Sequence, residues 1–310
     1  MHSVHPWQVS PIIKKKTYIN LPPQYTVVMP VYNQGNNVCK VLECLYNSAS
    51  FPYSIIIIND GSDDNSEEII IKYFEQSFSK NKKVVDFIYI YNKFPIYETA
   101  CDNIGFRISS TYYIIEIQSD IYIEDYGFDR RMISAMQKYS LGAVSGRHVH
   151  NYSLIDNSSS WLRYPIKKIG YKYFKKRESI GLVGNKIFSR SRDLDYQKCY
   201  IGETVARGPW LLNKADLQVL GYLDQKNFFL GNDDHDYHLR LGKSLSKAVG
   251  YCPVNIYSVP EEGASRKKRS GTNLEIYDYL KKVKTGSLEF KKFLRSYSPY
   301  REIITCDNYY

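Results

Sequence analysis

The run Ile55, Ile56, Ile57, Ile58 constrains this chain more than any other stretch. Four consecutive β-branched residues suit a strand better than a helix, and without polar alternation both faces of that strand need an apolar environment. A strand inside a parallel sheet, covered by helices on either side, meets that need. The run ends in Asn59, Asp60, Gly61, Ser62, Asp63 and Asp64. A buried strand that delivers carboxylates to its carboxyl end places them where ligands of wound α/β sheets bind.

The neighbouring sequence follows the same plan. YTVVMPVYN (25–33) is a second short unbroken apolar run, and Val38, Val41, Leu42 and Leu45 then recur at helical spacing, with Asn36 and Asn37 as candidate caps. NSEEIIIKYF reads as a helix with its acids in the first turn, VVDFIYIYN (84–92) as a strand, TACDNIGFRIS as a helix and TYYIIEIQSD as a strand ending at Asp120. Four strands alternating with helices predict an α/β fold, Rossmann-like, with a mostly parallel central sheet flanked by helices. Further on, FDRRMISAMQKY predicts a helix, LGAVSGRHV a strand, 161–192 a long basic loop, and the segment from Asp233 another helix. The expected division is an extended arm over 1–24, one α/β domain over 25–252, and a basic tail or lid over 253–310 with a helix near NLEIYDYLKKV.

Charge is unevenly distributed. The net +10 divides into +9 over 163–192 (ten Lys/Arg against Glu178), +6 over 266–310 (eleven Lys/Arg against five acids) and therefore −5 elsewhere. A basic rim on a mildly acidic body attracts nucleotide phosphates or other polyanions. No run approaches the ~18 apolar residues of a membrane helix, and the N-terminal sequence lacks the basic-then-apolar order of a secretory signal. The expectation is a soluble cytoplasmic protein whose six scattered cysteines are reduced packing residues. The wealth of Tyr, Ile, Asn and Lys matches an AT-rich genome such as some large viruses carry, in which case the host cytoplasm is the expected compartment.

Three acidic groups fall at ends of predicted elements: Asp60 with Asp63 and Asp64, Asp120 after Gln118 and Ser119, and Asp233, Asp234 and Asp236. Each alone reads as a solvated turn or helix cap. Brought to one edge of a sheet they would suit Mg²⁺ or Mn²⁺ with a diphosphate. Asp236 and Arg240, four apart, predict an ordinary helical ion pair. His148, His150, His235 and His238 lack zinc-site spacing with cysteines and read as surface or structural residues.

VVMPVYNQGNNVCKVLECLYNS, IIIINDGSDDNS, ACDNIGFRISSTYYIIEIQSD and RGPWLLNKADLQVLGYLDQKNFFLGNDDHDYHLRL, in that order, resemble the segments of family 2 glycosyltransferases with the GT-A fold. The resemblance spans roughly 25–242 and implies an inverting transfer of sugar from a nucleotide donor, a UDP-sugar, to a hydroxyl of a glycan or other acceptor. It implies nucleotide contacts from Pro30, Val31, Tyr32, Asn33, Asp60, Gly61, Ser62, Asn103, Gln118 and Ser119, with Asp60 at the base. The family's Asp-x-Asp signature falls on 118–120, which makes Asp120 the expected ligand of Mn²⁺ or Mg²⁺. Gln118 departs from the signature, replacing a carboxylate with an amide that still reaches a ribose hydroxyl. The catalytic pair falls on Asp233 and Asp234, with Asp234 the expected base. Gly208 and Pro209 are candidates for the donor and acceptor floor, Trp210 suits a sugar contact or the core equally, and Arg266, with Lys267, Lys268 and Arg269, is a candidate for neutralising the diphosphate. The lid segments 163–192 and 260–275 are expected to close over the donor.

Two other enzyme or binding classes fit less well. A sugar-1-phosphate nucleotidyltransferase needs a Gly-rich basic loop after its first strand, and PVYNQGNN has one Gly and no Lys or Arg. A nucleic-acid or glycan binder working through the basic stretches is opposed by carboxylates at the sheet's ligand edge. A catalytically degenerate relative that binds nucleotide or anionic glycan without turnover is the alternative that Gln118 keeps open.

Overall fold

The computed structural model describes residues 12–77, 82–152, 178–179, 182–183, 195–258, 263, 269–284, 290, 293 and 304–307. The α/β architecture expected from the sequence is present. Strands β1 (Ile12–Thr17), β2 (Tyr25–Val31), β3 (Tyr53–Asp60), β4 (Val84–Asn92) and β5 (Tyr113–Glu116) build one half of the central sheet. After β6 (Ile121–Ile123) come β7 (Ala143–Ser145), β8 (His148–His150), β9 (Glu178–Ser179), β10 (Leu182–Val183), β11 (Lys198–Gly202), β12 (Thr204–Val205), β13 (Trp210–Asn213), β14 (Val249–Tyr251), β15 (Ile256–Ser258) and β16 (Ile304–Asp307). Ten of these strands pair in the order β1-β4-β3-β2-β5-β13-β7-β14-β11-β16. The pairings run all but β1, β11 and β13 in one direction, so seven of ten strands point their carboxyl ends the same way.

All eight residues of β3 are buried. Ile55 and Ile57 enter one core with helices α1 (Gly35–Ser48), α2 (Ser66–Ser77) and α4 (Phe128–Lys138), whereas Ile56 and Ile58 enter a second core that includes Phe106 of α3 (Glu98–Ile108). Each such burial contributes about 1.5–3 kcal/mol, which is why the isoleucine run fixes the strand's place at the middle of the sheet. Gly105 lets α3 close on β2, since a Cβ there would sit 2.3 Å from Val28 Cγ1.

The ends of the chain are less separate than expected. Residues 12–17 of the anticipated arm form an edge strand antiparallel to β4. Its lysines are exposed, Lys14 pairing with Glu67 at 3.0 Å and Lys15 with Asp86 at 3.6 Å, and such charges discourage pairing with further strands. Within the basic tail, helix Gly271–Val283 buries Ile276 and Leu280 beside Tyr97, and β16 pairs with β11. The strand expected to reach Asp120 ends at Glu116, leaving 118–120 as a turn before β6. Helix α1 starts at Gly35, and its first amide donates to Ser66 Oγ at 2.8 Å rather than to an asparagine cap. All six cysteines are free.

Candidate active site

Two turns at the carboxyl ends of β2 and β3 are bound to each other. Asn33 Nδ2 donates to Asp63 Oδ1 at 2.5 Å, Asp63 N returns to Asn33 Oδ1 at 3.0 Å, and Asn33 N donates to Ser62 Oγ at 2.9 Å. Gly61 takes φ +69°, and a Cβ there would meet Pro95 N at 2.7 Å, so the Asp60 turn closes tightly on the loop after β4. That loop satisfies Asp60: its carboxylate accepts from Ile96 N at 2.7 Å, Tyr97 N at 2.8 Å and Asn92 Nδ2 at 3.1 Å. Burial raises the Asp60 pKa, and these hydrogen bonds oppose the rise.

Asp60 opens onto a cavity of about 210 Å³ shared with Pro30, Val31, Tyr32, Gln118, Ser119 and Asp120. Seven of the residues singled out from sequence therefore meet at one place. Tyr97, Glu98, Glu116, Arg147 and Arg269 complete its polar wall. The Arg269 guanidinium lies 4.6 Å from the ring centre of Tyr277, 5.5 Å from that of Tyr97 and 6.0 Å from that of Tyr32. Asn273, on the tail helix, donates to the Tyr32 hydroxyl at 3.2 Å. The tail thus forms one side of the cleft. Burial lowers the Arg147 pKa against the pull of Asp120, Glu116, Asp234 and Glu98, an electrostatic link between the cavity and the third acidic cluster.

Behind the cavity lies a buried ionic cluster. Arg207, in the loop before β13, bonds Asp102 through Nη1 and Asp233 through Nη2, and its Nη1 is 3.4 Å from Glu98. Burial works against the Arg207 charge, yet Asp233, Asp102, Glu98 and Glu116 together raise its pKa well above the usual value. Gln118 Nε2 donates to Glu98 Oε1 at 2.9 Å, joining the cluster to the 118–120 turn.

Asp233 and Asp234 open helix Asp233–Leu245 but face different surroundings. Asp233 is fully buried on Arg207, whereas Asp234 is part-exposed and accepts from the backbone N of His235 at 2.8 Å. Burial alone would raise the Asp234 pKa, but His235, Arg207, His238 and that hydrogen bond bring it below the ordinary carboxylate value. Neither is among the residues lining the cavity. Asp236 and Arg240 make the expected ion pair at 2.8 Å.

Several residues singled out from sequence stand outside the cavity lining. Asn103 turns away from the cleft: it donates to Leu223 O at 2.9 Å and accepts from Leu223 N at 2.9 Å, so it fastens the 223–225 loop. Trp210 is wholly buried in β13 and donates Nε1–H to His238 Nε2 at 3.1 Å, which makes it core rather than sugar platform. Asn33, Gly61 and Ser62 support the cleft wall without lining the cavity, and Gly208 and Pro209 lie behind Gln118, a Cβ on Gly208 falling 3.4 Å from Gln118 Oε1. Arg266, Lys267, Lys268 and most of the two lid segments lie outside the described residues, and Arg269, the described member of that basic run, lines the cavity. His238 and His235 are structural, sharing Thr204 Oγ1 at 2.9 Å and 2.7 Å. Sequence reasoning passed over Glu98, Asp102, Glu116, Arg147 and Arg207. The available signal was Glu116 itself, a carboxylate inside an otherwise apolar strand.

The cavity at the sheet's carboxyl edge, lined by carboxylates, arginines and tyrosines, lies where ligands of wound α/β sheets bind. The family model for glycosyl transferase family 2 matches residues 26–195, more than half of the chain, and the chain belongs to that family. It is 26% identical over 156 residues to a hyaluronan synthase of Pasteurella multocida, covering 49% of this chain and 15% of the relative. A chondroitin synthase of Pasteurella multocida (strain Pm70) is 25% identical over 156 residues, again 49% and 15% of the two chains. Both matches cover only a small part of those longer proteins. Among solved structures, TarS 1-349 of S. aureus in complex with UDP-GlcNAc is similar at a TM-score of 0.49 and 11% identity, over 90% of this chain and 68% of that one.

Proposed function

We propose that the protein is an inverting glycosyltransferase that moves a sugar from a UDP-sugar to a hydroxyl of a glycan acceptor, assisted by a divalent metal. The observation that carries the reading is the convergence of Tyr32, Asp60, Gln118, Ser119 and Asp120 on one cavity in a family 2 chain. Asp60, fixed by donors from Ile96, Tyr97 and Asn92, has at most one acceptor site left for the imide N–H of uracil. Gln118 suits a ribose hydroxyl. The names of two relatives, hyaluronan synthase and chondroitin synthase, support a glycan product.

The donor set fits Mn²⁺ or Mg²⁺, because the cavity offers carboxylate and amide oxygens and neither histidine nor cysteine among its described lining. Asp120 would hold the ion, which when bound supplies positive charge to the departing diphosphate. Arg147 and Arg269 add fixed charge at the same cavity and so favour the leaving group's negative charge. Asp234, ionised and less enclosed than Asp233, accepts the acceptor hydroxyl's proton as that oxygen attacks the anomeric carbon from the face opposite the diphosphate. A single displacement inverts the anomeric configuration. Calorimetry with UDP, GDP and thymidine diphosphate plus Mn²⁺, followed by turnover on a panel of nucleotide sugars with NMR of the product anomer, tests the reading. UDP should bind tightest and the product should be inverted. Tighter GDP binding overturns the base assignment, a retained anomer overturns the mechanism, and nucleotide binding without turnover on any donor favours the degenerate alternative.

A further inference from the structure

The buried cluster behind the cavity carries more negative charge than Arg207 neutralises. Glu98, Asp102, Glu116 and Asp233 surround that one guanidinium, and three of the four carboxylates are fully buried. Asp102 and Asp233 give one oxygen each to Arg207, leaving Asp102 Oδ1 and Asp233 Oδ1 without a hydrogen-bond partner. Glu116 is the extreme case. It is 0% exposed, and neither Oε1 nor Oε2 has a partner. Such a carboxylate, buried at the end of a strand, needs either a proton or a counter-cation. A proton shared with a neighbouring carboxylate is the competing arrangement, and nucleotide-free Mn²⁺ binding separates it from a cation.

The geometry favours a cation. Glu98, Asp102 and Glu116 each present a carboxylate oxygen, and these three atoms lie within 4.8 Å of one another. Oxygens in one ion's shell cannot be further apart than its diameter, about 4.2 Å for Mg²⁺ and about 4.6–5.2 Å for Ca²⁺. Glu98 and Glu116 also line the cavity, so the three carboxylates adjoin the space from which an ion would enter. Gln118 holds Glu98 in position through its 2.9 Å bond to Oε1. The amide at 118 therefore serves the inner carboxylates instead of standing as a carboxylate itself.

We propose that Glu98, Asp102 and Glu116 form an inner site for a hard divalent cation, separate from Asp120 and filled without nucleotide. The site goes beyond the glycosyl-transfer reading and does not depend on it. The ion would fix α3, which carries Glu98 and Asp102, against the end of β5, which carries Glu116, and so hold the back wall of the cleft.

The test uses Mn²⁺ alone on the full chain after chelator treatment, read by electron paramagnetic resonance and by thermal unfolding. Wild type should bind one Mn²⁺ per chain without nucleotide and unfold at a higher temperature when it does. Asp120→Ala should keep that binding, whereas Glu116→Gln, which preserves shape and removes the charge, should weaken it at least 10-fold and abolish the thermal shift. Should Glu116→Gln not fold, Glu98→Gln at the part-exposed member gives the same reading. Absence of nucleotide-free Mn²⁺ binding in wild type overturns the site, as does binding lost in Asp120→Ala but kept in Glu116→Gln. Loss of nucleotide binding in Asp120→Ala bears on the transferase reading alone, so the two can fail separately.

Discussion

The two halves of the central sheet solve the problem of building a cleft in different ways. In the half formed by β2, β3 and β4, polar residues at successive strand ends bind one another: Asn33 with Asp63 and Ser62, Asp60 with the 96–97 backbone. In the half around β13, charged residues from distant segments meet in the interior, Arg207 joining Asp102 and Asp233 across 105 and 26 positions of sequence. The first half satisfies Asp60 and Asp63 with neutral amide donors at a partly wet edge. The second stores charge in a dry place, where losing one partner strands the others.

That contrast predicts unequal sensitivity. Arg207→Met leaves Asp102, Asp233 and Glu98 without their shared cation, and urea unfolding at pH 7 should show a loss of about 3–5 kcal/mol, the usual penalty for breaking a buried pair. Asn33→Ala removes hydrogen bonds at a part-exposed turn and should cost about 1 kcal/mol. Equal losses would erase the distinction between the halves.

A further effect should appear in acid, and His238 in the second half is one source of it. His238 is buried, and burial lowers its pKa from 6.5 to about 3, so the folded chain refuses a proton that the unfolded chain accepts. The hydrogen bonds agree: Nε2 accepts from Trp210, which assigns the ring proton to Nδ1, facing Thr204. Because the unfolded state binds the extra proton, stability is fully present above pH 6.5 and falls as pH drops toward 3, by up to about 1.4 kcal/mol per pH unit. Comparing wild type with His238→Gln between pH 7 and pH 5 isolates this contribution from the carboxylates. Parallel pH curves for the two proteins would remove His238 as its source.

The same contrast explains what the sequence disclosed. Ile55–Ile58, the helical spacing of α1 and the acids closing β3 are local patterns, and the mostly parallel sheet and the place of Asp60 at its carboxyl edge follow from them. Arg207 was hidden because nothing beside it in the chain announces its partners. Asn103 misled for a related reason: its position on α3 suits the family's nucleotide contact, while its real partner, Leu223, is 120 residues away. Trp210 looked equally suited to sugar or core, and the strand pairing of β13 with β5 and β7 decided for core. The edge strand β1 escaped notice because Lys14, Lys15 and Lys16 obscure a strand whose alternation is of no use to a core.

Asp233 and Asp234 are adjacent in sequence yet belong to the two kinds of environment, and this makes them the sharpest probe of the proposed chemistry. The decisive measurement is turnover and donor affinity for Asp234→Asn beside Asp233→Asn. The account predicts that Asp234→Asn binds the donor normally while turnover falls roughly 10²- to 10⁴-fold, the worth of a general base, and that Asp233→Asn chiefly loses thermal stability through Arg207. Near-normal turnover in Asp234→Asn would contradict the assignment, and an inactive but fully stable Asp233→Asn would move the base one residue back.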